Sequence, residues 1–112
     1  MSTLEFFFLL MLGIQLAHSI EELANDFHKL FPLFKMSFRF FFSFEIIFFS
    51  FWSAIFLFQD FVFRDQFMLL FIFLMLVNGI WHSIWWMTKR KYVPGIYTAP
   101  LFILVFLLFH FN

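Results

Sequence analysis

An imidazole and two carboxylates stand close together in the chain at His18, Glu21 and Glu22. On a helix turning about 100° per residue, Glu21 falls roughly 60° to one side of His18 and Glu22 roughly 40° to the other. All three therefore share one face about a turn deep. Carboxylates at a helix C-terminus oppose the macrodipole, so the pair is poorly explained as a mere helix end. Farther on, Asn78 and His82 are four residues apart and share a face, and Gly79 between them would let another helix approach closely. Glu45 sits in an apolar run, flanked by Phe44 and Ile46. An ionised carboxylate inside a membrane costs at least about 2.5 kcal/mol on insertion scales, so Glu45 should be protonated, paired or coordinating, with His18, His82 or Arg39 as partner. Imidazole plus carboxylate is a donor set for zinc, iron or manganese, which makes His18, Glu21, Glu22, Glu45 and His82 the candidate metal ligands. Without a metal, the same His and Glu residues suit acid–base chemistry, with Asn78 orienting a substrate. His18, Glu21, Glu22, Asn78 and His82 are thus the candidate catalytic residues.

A second group lies in the segment Tyr92-Val93-Pro94-Gly95-Ile96-Tyr97-Thr98-Ala99-Pro100, just after Lys89, Arg90 and Lys91. Pro-Gly is a tight-turn signal, and Pro100 suits the opening turn of a helix. The turn would deliver free helix N–H groups beside basic residues, a place for an anionic group, so Tyr92, Pro94 and Gly95 are the candidate cofactor-binding residues. His28 and His110 read as interfacial bystanders.

The elements that must carry these residues follow from composition. Apolar residues make up 64% of the chain and charged residues 12%, against roughly 25% charged in a soluble domain. Lipid is the expected solvent. The apolar runs are long and do not alternate, which excludes barrel strands and predicts an all-α integral membrane bundle of four transmembrane helices with antiparallel up-down topology. The helices are expected at about 4–22, 38–58, 67–87 and 96–111, in one domain covering 1–112. The last is short: at about 1.5 Å per residue it spans roughly 24 Å of a core near 30 Å, so it should thin the membrane or continue into a C-terminal extension. The first is read as a span and not a cleaved signal, because no Lys or Arg precedes it, although Ala17-His18-Ser19 loosely mimics a cleavage site.

Lys29, Lys35 and Arg39 mark the first loop and Lys89, Arg90 and Lys91 the third, against Arg64 alone in the second. By the positive-inside rule loops one and three are cytoplasmic and both termini outside, in what is expected to be a bacterial inner membrane. Trp81, Trp85 and Trp86 then read as an interfacial belt. This threading gathers the polar residues at the cytoplasmic end.

His18-x-x-Glu21-Glu22, Asn78-x-x-x-His82 and Tyr92-x-Pro94-Gly95, in this order, resemble the membrane-protein family named for its HXXEE motif. The resemblance covers nearly the whole chain and implies a small multi-span protein, from a mostly bacterial family suspected of being enzymes, without an established activity. The leading expectation is an intramembrane enzyme, metal-dependent or acid–base, acting on a lipophilic small molecule. The alternatives are a transport or proton-relay module, and an assembly subunit of a larger complex. Relay chemistry would want a polar route across the membrane, yet the outer half of each helix is almost purely apolar. Zero net charge excludes nucleic acid as partner and leaves a homo-oligomer open.

Overall fold

The structure, a computed structural model, describes residues 1–112 and contains five helices: α1 (Thr3–Ala24), α2 (Phe27–Leu30), α3 (Phe38–Leu57), α4 (Arg64–Lys89) and α5 (Ala99–His110). Ser2 opens α1 with a capping box, its hydroxyl accepting from the Glu5 amide at 3.1 Å while the Glu5 carboxylate accepts from the Ser2 amide at 2.9 Å. Ser37 caps α3 through the Phe40 amide. Arg90, in the left-handed conformation at φ 55°, stops α4, and Pro100 lies in the first turn of α5.

By length and composition, α1, α3 and α4 are able to cross a membrane. The expected four spans are corrected to three long candidates and one shorter apolar helix, because α5 has 12 residues. Hydropathy runs unbroken from Ile96, but residues 95–98 are held in a turn by hydrogen bonds to Glu21, and the helix starts only at Ala99. The short α2 falls in a stretch expected to be loop.

Phe8 and Met11 of α1 are fully buried with Met68, Phe71 and Ile72 of α4 and Phe102 of α5. Phe8 meets Phe71 at a ring separation of 5.0 Å and stacks on Phe56 of α3 at 6.0 Å. Trp52 of α3 is buried against Phe71 at 4.9 Å. One end of this core is tied by Arg64, which donates to Glu5 at 2.9 Å and to the Phe56 carbonyl at 2.8 and 3.0 Å. At the far end, Phe27, Phe41, Trp85 and Val93 form a second apolar cluster. The polar residues of α1 and α4 lie between the two. Outward faces are equally apolar, with Phe44, Ile47 and Phe51 of α3 and Leu104 and Leu108 of α5 exposed, a surface suited to lipid contact.

Gly79 sets the approach of α4 to α5. A Cβ there would lie 2.7 Å from the Ala99 carbonyl oxygen and 3.1 Å from Phe102 Cβ, so the two backbones touch at this point. A Cβ at Gly13, on α1, would meet nothing within 4 Å. Gly79→Ala should therefore cost about 1–3 kcal/mol through overpacking. Gly13→Ala should stabilise by roughly 0.5–1 kcal/mol through helix propensity. Unfolding of both variants in detergent checks the opposed signs, and equal shifts would rule out the close contact.

Candidate metal centre

The C-terminal turns of α1 bring His18, Ser19, Glu21 and Glu22 to the bundle interior, and α4 brings His82 to meet them. His18 and His82 have no exposed surface, and Glu22 is buried. Their Nε2 atoms are 3.1 Å apart, with Glu22 Oε2 3.6 Å from His18 Nε2 and 3.2 Å from His82 Nε2. Bonds of about 2.0–2.2 Å at a tetrahedral angle would separate two ligand atoms by about 3.3–3.5 Å. The triangle thus has nearly the dimensions of one face of a tetrahedral metal site. Two imidazoles and one carboxylate also form a donor set with chemical precedent, so the residues fit a divalent ion.

The supports of this triangle explain its orientation. His18 Nδ1 lies 2.7 Å from Thr98 Oγ1, and the Thr98 hydroxyl donates to Glu21 Oε1 at 2.8 Å. With its proton committed to Glu21, the Thr98 oxygen accepts from His18 Nδ1–H. That tautomer leaves a lone pair on His18 Nε2, facing Glu22 and His82, as a metal ligand requires. On the other flank the Ser19 hydroxyl donates to the Glu45 carboxylate of α3 and accepts from Gln15 Nε2 at 3.1 Å. Glu45 and Glu22 both line one cavity between α1, α3 and α4.

Glu21 stands outside the triangle. Its carboxylate accepts from the Tyr92 hydroxyl at 2.6 Å, from the amides of Gly95, Tyr97 and Thr98 at 2.9, 3.2 and 3.0 Å, and from the Thr98 hydroxyl. The segment so held lies directly on the imidazoles: a Cβ at Gly95, whose φ is +98°, would come within 2.6 Å of His82 Cε1 and 2.7 Å of His18 Cε1. Only glycine suits both the conformation and the space. Pro94 beside it is fully buried. Asn78 is one turn from His82, but its Oδ1 accepts from Trp81 Nε1 at 2.9 Å and it makes no direct bond to the triangle.

Residues 9–110 match a family described as "Protein of unknown function with HXXEE motif". The chain belongs to the HXXEE family. No curated protein and no solved structure matches it. Within the HXXEE motif of this chain the two carboxylates face different neighbours, Glu22 the imidazole pair and Glu21 the Tyr92–Thr98 strap. Reading the sequence passed over Thr98, Ser19 as a donor to Glu45, and Gln15. Gln15 and Ser19 are four apart on α1, a spacing that could have marked them. Nothing local marks Thr98, whose partners lie 77 and 80 residues away.

Partial burial, followed by the hydrogen bond to and the charge of Glu21, raises the Tyr92 phenol above its ordinary range. The folded chain therefore holds this proton more tightly than the unfolded one. The corresponding stabilisation is complete below the unfolded phenol value of about 10 and is lost as pH rises through the folded value. Glu21→Gln removes the charge and should move the Tyr92 titration downward. Tyrosinate absorbance in a Tyr97→Phe background reads this directly, and an unmoved curve would mean that Glu21 does not hold Tyr92.

Proposed function

We propose that this HXXEE protein is an intramembrane enzyme that binds a divalent metal through His18, Glu22 and His82 and acts on a lipophilic substrate. The observation that carries the reading is the ligand triangle, buried, near tetrahedral in its dimensions, and oriented from behind by Thr98 and Glu21. Three protein ligands leave a coordination position open, the mark of catalytic and not structural sites. A zinc, iron or manganese ion there would act as a Lewis acid toward a substrate oxygen. The chain's own groups supply the rest. Glu45, hydrogen-bonded by Ser19 and next to Glu22, is placed to take and return a proton, while the strap from Tyr92 to Thr98 keeps water off the imidazoles.

In this reading α1, α3 and α4 cross a bacterial inner membrane in antiparallel up-down order and the shorter α5 runs back beside them, its Phe109 against Phe7 of α1. The loops around Lys29, Lys35 and Lys89–Lys91 face the cytoplasm and both termini the outside. Arg64, the one basic residue on the outer side, is paired with Glu5 at 2.9 Å, so its charge is committed within the protein. A proton relay or transporter is less well supported. Between the triangle and the Glu5–Arg64 pair stands the apolar cluster of Phe8, Met11, Met68, Phe71 and Ile72, with no polar group bridging it.

Metal analysis of protein purified in detergent tests the proposal. Zinc, iron or manganese should be retained stoichiometrically by the unmodified chain and lost in His18→Ala, His82→Ala and Glu22→Gln. Thr98→Val, which removes the hydroxyl that links His18 to Glu21, should weaken binding by about 10–100-fold. Absence of bound metal in the unmodified chain under saturating zinc, iron and manganese would overturn the metal-dependent reading.

A further inference from the structure

Beside the triangle lies a cavity of about 760 Å³ between α1, α3 and α4, closed along one side by Phe27 of α2 and by Phe31, Leu33 and Met36 of the loop that follows. Its shape follows from where α3 and α4 touch. Aromatic contacts hold the two helices together from Trp52 and Phe67 as far as Phe48 and Phe71, whose rings are 6.3 Å apart. Beyond that point no aromatic pair joins them, and Phe40 and Phe44 of α3 line the cavity together with Leu74 and Val77 of α4. Phe40, Phe44 and Val77 are more than 45% exposed, as are Leu33 and Phe34 of the loop, so the opening is apolar and includes the gap between α3 and α4.

The polar part of the lining is small and one-signed. It consists of Gln15, Glu22, Glu45 and Asn78, with no Lys or Arg among the lining residues. Glu22 is also a corner of the ligand triangle, so the polar end of the cavity is the wall of the candidate metal centre. Gln15 is only 4% exposed, and its Oε1 has no hydrogen-bond partner, since the Gln15–Ser19 bond uses Nε2. A buried acceptor left unmatched is unfavourable, and a donor on an occupant would satisfy it.

We infer that this cavity takes an uncharged single-chain lipid, inserted sideways between α3 and α4, whose head group donates a hydrogen bond to Gln15 Oε1. Each part of the description has its own reason. The lateral apolar walls select a hydrocarbon chain. At about 30 Å³ per small group the volume holds about 25 non-hydrogen atoms, enough for one chain with a small head and too few for a two-chain phospholipid. No Lys or Arg lines the cavity, so in the metal-free protein a carboxylate or phosphate head would meet two carboxyl groups and no cation. Long-chain alcohols and monoacylglycerols meet all three conditions. The inference deepens the enzyme reading, and only through that reading does the bound lipid become a substrate.

A diazirine-bearing long-chain alcohol, photolysed with the full chain in detergent micelles, tests it. Labelling should saturate and map to the walls at Phe40–Phe48 and Leu74–Val77. After chelation of any bound metal, unlabelled monoacylglycerol should compete, whereas a fatty acid anion or single-chain phosphate of equal length should not. Gln15→Leu should weaken competition by about tenfold, the loss expected for one hydrogen bond to a buried group. Metal content measured on the same samples before chelation separates the two readings. Intact metal binding without saturable labelling overturns the lipid inference alone. Saturable labelling without metal overturns the metal-dependent enzyme alone and supports the cavity assignment. Equal competition by the anions would overturn the charge selection, and labelling confined to α5 would overturn the site.

Discussion

Five hydrogen bonds converge on the Glu21 carboxylate, all of them from the segment Tyr92–Thr98. Through this one group the last quarter of the chain is fixed onto the first helix. The start of α5 depends on it, because the amides it collects are those that would otherwise continue the helix backward from Ala99. So does the orientation of His18, since Thr98 touches both the imidazole and Glu21. A carboxylate at a helix C-terminus is electrostatically out of place, and its location makes sense as an acceptor for a neighbouring chain's amides.

The opposite end of the bundle is organised by the reverse arrangement, a cation enclosed by acceptors. Arg64 bonds Glu5 and the Phe56 carbonyl and lies over the Phe56 ring at 5.1 Å, joining α1, α3 and α4. With that end clasped and filled by aromatic rings, the aromatic pairs between α3 and α4 stop short of the polar end. The cavity is thus a product of where the aromatic contacts stop, and its position next to Glu22 follows from α1 supplying both the packing face and the motif.

Local spacing was enough to place His18, Glu21 and Glu22 on a common face and to identify Glu45 as a group in need of a partner. It could not show that a face 100° wide looks onto two different neighbours, so Glu21 and Glu22 were read as one set. The partner of Glu45 is Ser19, a small hydroxyl beside the motif, and neither the two histidines nor Arg39. The extents of α1 and α3 were close to those expected, because continuous hydropathy and Ser caps are local signals. The beginning of α5 is not readable from local signals, since Ile96 is as apolar as the helix that follows and the turn is held by Glu21, 74–77 residues away. Trp81, Trp85 and Trp86 resembled a membrane belt, yet Trp85 is buried against Phe27 and Trp81 lines the cavity.

The glycine at position 95 sits against both imidazole rings and shuts them off on the side of the strap. On that side an ion held among His18, Glu22 and His82 would be closed off by the strap, and the Glu22 corner, which lines the cavity, would be its open approach. The direction from which such an ion is reached would then be set by Glu21, which holds the strap, and its affinity by the three ligands.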